Sequence, residues 1–314
     1  MDLLSDILSR IKLSGTLYFR TSFTSPWSIR VPSYEKVARF HFAHKGRCLI
    51  RIDPSKPPVV LEQGDLVIIT RGAAHTLYCS PATETPAAML DEVVEKSGFT
   101  GTGARVYGEL GTDHETQLVC GHFAFEKDAR HLLIDALPLF IHIANYGETS
   151  GVWMENTLKV IGHEAGRGNM GSDLIALKMS EIIFAQALRT YMENQGAEIP
   201  VLSGFADPCI ARALSAIHQD PAHPWSLERL AQIAGMSRTS FANRFSHCMT
   251  MAPLAYISQW RMQIARQELI ASNDSIIQIA VKVGYSSEAA FSRAFKKFYS
   301  KAPATYRRLA EMVG

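Results

Sequence analysis

Long apolar runs are missing from this chain of 314 residues: none reaches the roughly 18 residues that a membrane-crossing helix needs, which excludes such a helix. Cysteine is scarce as well. The five, Cys48, Cys79, Cys120, Cys209 and Cys248, are odd in number and widely scattered. They exclude a disulfide framework and suit a reducing, cytoplasmic setting. No single charge dominates, since 32 Lys+Arg face 30 Asp+Glu for a net charge of +2. A leader peptide is not expected either. Residues 1–13 carry Asp2, Asp6, Arg10 and Lys12 among Leu3, Leu4, Ile7, Leu8 and Ile11, and read as an amphipathic helix. What remains, 47% hydrophobic and 20% charged, is an ordinary globular composition, long enough for two domains.

The balanced charge conceals a division. From residue 205 to the end, 13 Lys+Arg face 7 Asp+Glu, so that part is basic and the remainder slightly acidic. The basic part is also written twice. Ala231, Gly235, Ser237, Phe241, Phe245, Pro253 and Tyr256 return as Ala280, Gly284, Ser286, Phe291, Phe295, Pro303 and Tyr306. The offset is 49 at first and 50 from the phenylalanines onward, so one residue enters after the turn. Each copy reads as a short helix (Leu227, Leu230, Ala231, Ala234; Ile276, Ile279, Ala280, Val283), a glycine turn, and a second helix. A serine, Ser237 or Ser286, is placed to cap that second helix. The phenylalanine pairs form its inner face. Its outer face carries Ser237, Arg238, Thr239, Ser240, Asn243 and Arg244 in the first copy. In the second it carries Ser287, Glu288, Ser292, Arg293, Lys296 and Lys297. This is a tandem helix-turn-helix, at about 227–248 and 275–298, joined by a long amphipathic helix over 253–272.

The Leu227 to Ser237 and Ile276 to Ser287 patterns, the Phe291 to Lys297 segment and the Pro303 to Arg307 close resemble the AraC/XylS family of bacterial transcription regulators. The resemblance covers about a third of the chain. It implies two DNA-reading helices per subunit, held at fixed separation on one face of the duplex. It also favours a homodimer and an engagement with RNA polymerase.

The rest of the chain alternates short Val-, Ile-, Phe- and Tyr-rich runs with Gly, Pro and Asp turns, at 15–23, 28–31, 38–44, 47–52, 59–61, 65–69, 75–79, 104–107 and 116–125. Such spacing predicts an antiparallel barrel or double-sheet sandwich. Residues 81–103 lack periodicity and read as a loop excursion, and helices are expected at 153–164 and 172–194. Gly64, Gly72 and His75 are spaced like the second half-motif of the cupin barrel, with Thr70 where that pattern has proline. In the first half-motif His41 and His44 are present, without the usual His-x-His spacing or the following glutamate. The run 118–143 also resembles the cupin sensor domains of one branch of AraC-type regulators, some of which respond to electrophiles through cysteines.

The expected fold class is therefore α+β: a cupin-like β-barrel with a helical hairpin, then an all-α domain with two helix-turn-helix motifs. The expected domains are a sensor and dimerisation domain at 1–195, a linker at 196–206 suggested by Gly196, Pro200 and Gly204, and a DNA-binding domain at 207–311. Arg238, Asn243, Arg244, Glu288 and Arg293 are the candidates for reading bases, and Lys296 and Lys297 for phosphate. In the barrel, His41, His75, Cys120 and His122 are candidate ligands for Zn or another transition metal. Cys48, near Arg47 and Arg51, and Cys79, after His75, are candidate redox thiols. The expected function is a cytoplasmic, sequence-specific regulator of transcription, an activator controlled by a small molecule or reactive oxidant, and no enzyme. The alternative is a cupin-type metalloenzyme, a dioxygenase or isomerase, with a DNA-binding appendage.

Overall fold

Strands fill the first part of the chain and helices the last, as the change of period at about residue 150 requires. The computed structural model describes residues 2–11, 13–35, 37–84, 86–97, 104–107, 115–125, 131–145, 156–157, 160, 164 and 169–312. The early elements are α1 (Leu3–Ile11), β1 (Leu13–Thr24), β2 (Ser28–Val31), β3 (Val37–Lys45), β4 (Cys48–Arg51), β5 (Val59–Leu61), β6 (Leu66–Ile69) and β7 (His75–Tyr78). Next come β8 (Ala88–Met89), α2 (Leu90–Lys96), β9 (Ala104–Tyr107), β10 (Glu115–Phe125), α3 (Leu132–Asp135) and β11 (Phe140–Ile143). The described late helices are α4 (Ser172–Gln195), α5 (Pro200–Ala206), α6 (Pro208–Gln219), α7 (Leu227–Ala234), α8 (Arg238–Met249), α9 (Pro253–Ala271), α10 (Ile276–Lys282), α11 (Glu288–Tyr299) and α12 (Pro303–Glu311). Two compact units result: 12–128 with 137–191, and 1–11 with 129–136 and 192–314.

In the first unit β11-β6-β3-β10-β1-β9 form a six-stranded sheet and β5-β4-β7-β2-β8 a five-stranded one. Pairing is antiparallel except for β9 on β1 and β8 on β2. Alternation along the strands sends Ile29, Val31, Ile50 and Leu77 of the smaller sheet, and Val67, Ile69, Leu118 and Cys120 of the larger, into one buried cluster. The larger sheet is covered on its other face too. Phe40 stacks on Phe123 with centroids 5.3 Å apart, and Phe184 of α4 meets Phe123 at 5.3 Å. The described strands thus make a layered double sheet and do not close into a barrel. Side-chain packing joins the two layers, so the edges β11, β9, β5 and β8 remain edges.

Two readings change here. The excursion at 81–103 contains, in its described part, a 3-10 turn (Pro81–Thr83), strand β8 and helix α2, whose Val93 is buried. Elements of two and seven residues are too short to leave a period. The helix expected at 153–164 falls largely outside the described residues.

In the second unit the expected linker is folded. Residues 196–198 make a 3-10 turn and α5 follows, with Val201, Leu202 and Phe205 buried. Its Pro200 occupies the first helical turn, where a missing N–H costs nothing. Gly204 is required by closeness rather than by flexibility, since a Cβ there would lie 2.8 Å from Cβ of Cys248 on α8. Helices α6 to α12 bury Leu214, Ile217, Leu230, Phe241, Phe245, Trp260, Ile279, Phe291 and Phe295. Full burial of such side chains is worth roughly 1.5–3 kcal/mol each. Trp225, unlike Trp260, is only half-buried, and its indole N–H donates to the Asp220 carbonyl at 2.9 Å.

Candidate DNA-binding face and buried polar clusters

Both helix-turn-helix units are built by the same local chemistry. Ser226 and Ser275 cap α7 and α10, accepting from Arg229 N and Gln278 N. Each helix ends on a glycine with positive φ, Gly235 at 71° and Gly284 at 81°. There the following residue's N–H reaches back, Met236 to the Ala231 carbonyl and Tyr285 to the Ala280 carbonyl, both at 2.9 Å. Ser237 then caps α8, accepting from Ser240 N. In the second unit the cap is Ser287, accepting from Ala290 N, and not Ser286. The residue added after the second turn shifts the cap by one.

Phe241 and Phe245 pack inward at 5.5 Å between centroids, and Phe291 and Phe295 at 5.7 Å. With 3.6 residues per turn, the residue facing straight out opposite each pair is Asn243 in α8 and Arg293 in α11. Both are exposed, as are Ser237, Arg238, Thr239, Ser240, Arg244, Ser287, Glu288, Lys296 and Lys297, whereas Ser292 is half-buried. Ser246 and His247 share the outer face of α8, and sequence pattern gave no reason to single them out.

Charge is distributed unevenly between the two helices. On α8, Arg238 pairs with Glu228 at 3.0 Å, and Arg244 Nε donates to Asp207 at 2.8 Å. Asp207 also caps α6 by accepting from Cys209 N and Ile210 N. Burial raises the Asp207 carboxyl pKa, but these N–H donors and Arg244 outweigh it and hold the group below its usual range. Arg244 thus lies at the flank of α8, tied to α6. On α11, Arg293, Lys296 and Lys297 have no acidic partner among the described residues.

Two arginines outside any sequence motif support the turns. Arg212 of α6 donates to the Ile233 and Ala234 carbonyls at 3.2 and 2.7 Å. Arg261 of α9, at the repeat offset of 49, donates to Pro221 at 2.7 Å, His223 at 2.8 Å and Gly284 at 3.3 Å. The duplication therefore includes the helix before each motif, a signal weakened in the sequence because little else along α6 and α9 matches.

In the β-rich unit three of the four metal candidates meet. His41 Nδ1 lies 3.1 Å from Cys120 Sγ, its Nε2 lies 2.9 Å from His75 Nε2, and His75 Nδ1–H donates to the Ala73 carbonyl at 2.8 Å. The turn leading to His75 depends on Gly72, because a Cβ there would lie 2.1 Å from the Tyr34 carbonyl oxygen. Burial drives His75 down to about 4 and His41 well below its usual value, so both rings are neutral. The Ala73 carbonyl can only accept, and this fixes every proton. His41 Nε2–H donates to His75 Nε2, and the Cys120 thiol donates to His41 Nδ1. The chain satisfies itself. His122 is half-buried on β10 opposite Arg39 and joins none of these bonds. Among the described residues no three His, Cys, Asp or Glu side chains are grouped to hold a metal ion. The expected metal site does not fit this arrangement.

The redox candidates separate. Cys48 is fully buried, and burial pushes its thiol up, which makes it inert. Cys79 is half-buried. Burial raises it, but hydrogen bonds from Ser25, Thr83 and the Trp27 N–H lower it further, for a net drop.

One buried polar group within the second unit leaves no trace in the sequence. Asp6 of α1 accepts from His218 Nδ1 at 2.8 Å, His218 Nε2 meets Tyr256 Oη at 2.8 Å, and Gln267 donates to the Arg10 carbonyl. Burial lowers His218, and burial drives the neighbouring His131 down to about 3.

Residues 2–193 match the family described as Cupin, and residues 230–309 match the helix-turn-helix domain family. An AraC-like transcription regulator of Streptomyces lividans is 32% identical over 312 residues, covering 98% of each chain. The HTH-type transcriptional regulator AlkR of Acinetobacter baylyi is 30% identical, covering 98% of this chain and 99% of its own. The RCS-specific HTH-type transcriptional activator RclR of Escherichia coli is 26% identical, covering 98% and 97%.

Proposed function

This chain belongs to the AraC-type DNA-binding transcription regulators with an N-terminal cupin domain, and from that premise we propose how it reads and switches an operator. It is a regulator rather than an enzyme, as its relatives are. Helices α8 and α11 enter two adjacent major-groove segments on one face of the duplex, one turn or ~34 Å apart. The observation that carries this reading is the repeat-matched pair Asn243 and Arg293, each facing straight out from a helix whose inner face is sealed by two phenylalanines. An amide suits adenine and a guanidinium suits guanine. Arg238, Thr239 and Glu288 stand beside them at the base edges. Ser237, Ser240, Ser287, Ser292, Lys296 and Lys297 hold phosphate, and Arg244 supports α8 from Asp207.

The protein acts in the cytoplasm as a homodimer that recruits RNA polymerase. On α4, Leu174, Ile175 and Ile182 are exposed and apolar, and they supply the contact between copies. The cupin domain receives a small molecule or a reactive oxidant. For the oxidant, Cys79 is the thiol, because it is partly open and its hydrogen bonds favour the thiolate. That an E. coli relative is named RCS-specific supports an oxidant over a metabolite.

Selection of duplexes from a random library by the full chain tests the core of this reading. The expected product is a bipartite half-site with two protected segments one turn apart, filled by one copy, with two such half-sites per operator. Recovery of no preferred sequence would overturn it.

A further inference from the structure

The helix-turn-helix units are near-copies, but one side chain treats them differently. Arg212 serves only its own motif, closing the end of α7 through the Ile233 and Ala234 carbonyls. Its repeat partner Arg261 reaches across. It donates to Pro221 and His223 in the segment that leads into α7, and to Gly284 in the turn between α10 and α11. The Pro221–Trp225 segment is itself braced, with His223 N donating to Asp220 and Trp225 N to His223, and Ser226 follows at once as the cap of α7. On the other side, Gly284 leaves no room to shift. A Cβ at that position would lie 2.7 Å from the Ala222 oxygen and 2.7 Å from Arg261 Nη2. The Tyr285 ring stands 5.9 Å from the guanidinium. A half-buried planar fork thus grips rigid backbone belonging to both motifs at once.

We infer that Arg261 is a positioning residue that sets the separation and relative angle of the two recognition helices, and so sets the base-pair spacing the protein accepts. This rests on the reading that α8 and α11 occupy adjacent grooves of one operator. A lysine at this position keeps the charge but not the fork, and can satisfy these carbonyls only one or two at a time. The two motifs then keep their own folds and lose their mutual register.

The test uses the full-length protein and a duplex it selects from a random library, with derivatives carrying one or two base pairs inserted or deleted between the two protected segments. Wild type is expected to lose about tenfold or more per altered step, on the scale of one misplaced base contact. Arg261→Lys is expected to bind the original duplex more weakly and to flatten the spacing profile to within about threefold. Arg212→Lys is the control, expected to weaken binding with the wild-type spacing profile intact. An Arg261→Lys profile parallel to that of wild type overturns the inference, because a loss of general stability cannot alter a spacing preference. A wild type indifferent to spacing would instead overturn the two-groove reading beneath it.

Discussion

Asn243 and Arg293 occupy one position of the repeat yet carry different chemistry, an amide and a guanidinium, so under the proposed reading one subunit is expected to select an asymmetric site. Arg244 has the right residue type and is exposed, but its guanidinium is committed to Asp207. The two arginines should therefore fail differently. Arg293→Ala is expected to cost ~1–3 kcal/mol on the selected operator and far less on random duplex. Arg244→Ala is expected to weaken both equally, as a shift of α8. Titrations on the two duplexes read the difference, and equal losses for Arg293 would reassign it to phosphate. A second residue-scale expectation concerns His131. Its folded pKa, about 3, is depressed from an unfolded value of about 6.5. Its contribution to stability is then complete above about pH 6.5 and is lost as pH falls toward 3. Hydrogen-exchange protection of α9 should decline over that window, and His131→Gln should flatten the decline. A wild-type decline unchanged in the variant would clear His131.

At the scale of elements, the turn glycines show what repeats keep and what they discard. Gly235 and Gly284 share a left-handed backbone, but their surroundings differ. A Cβ at 235 would meet only Arg212 Nη2 at 3.5 Å, while one at 284 would press on backbone at 2.7 Å. Gly235→Ala is expected to cost about 1–2 kcal/mol for the left-handed conformation alone. Gly284→Ala should cost more, with displacement of the Pro221–Trp225 segment. Denaturant midpoints of the two variants measure this, and equal losses would show that the crowding relaxes at no cost. The tandem motif was legible because glycine, serine and phenylalanine recur at positions where backbone and packing allow little else. Residues 196–206 misled for the opposite reason. Proline and glycine mark flexible connections and also helix starts and tight packing, and only the presence of Cys248 against Gly204 decides between them. Helix α2 and strand β8 were hidden by their shortness.

At the scale of the whole molecule, the proposed oxidant sensing would require a chemical change in the cupin domain that alters promoter output. Cys79 has the hydrogen bonds to stabilise a thiolate, and Cys48 is sealed in the core. Cys79→Ser is expected to abolish an oxidant-dependent change in reporter expression, and Cys48→Ser to leave it intact. A retained oxidant response in Cys79→Ser would clear that thiol as the sensor. The sequence by itself determined the late helical domain, its duplication, its outward polar faces and the positions of most strands, because these follow from period, turn chemistry and composition, which are local. Tertiary structure alone decided that the sheets stay open and that His41, His75 and Cys120 spend their hydrogen bonds on one another. It alone decided that Arg244 is bound to Asp207 and that Arg261 spans both motifs. Each of these depends on which side chains meet across tens or hundreds of residues, and no spacing along the chain encodes such a meeting.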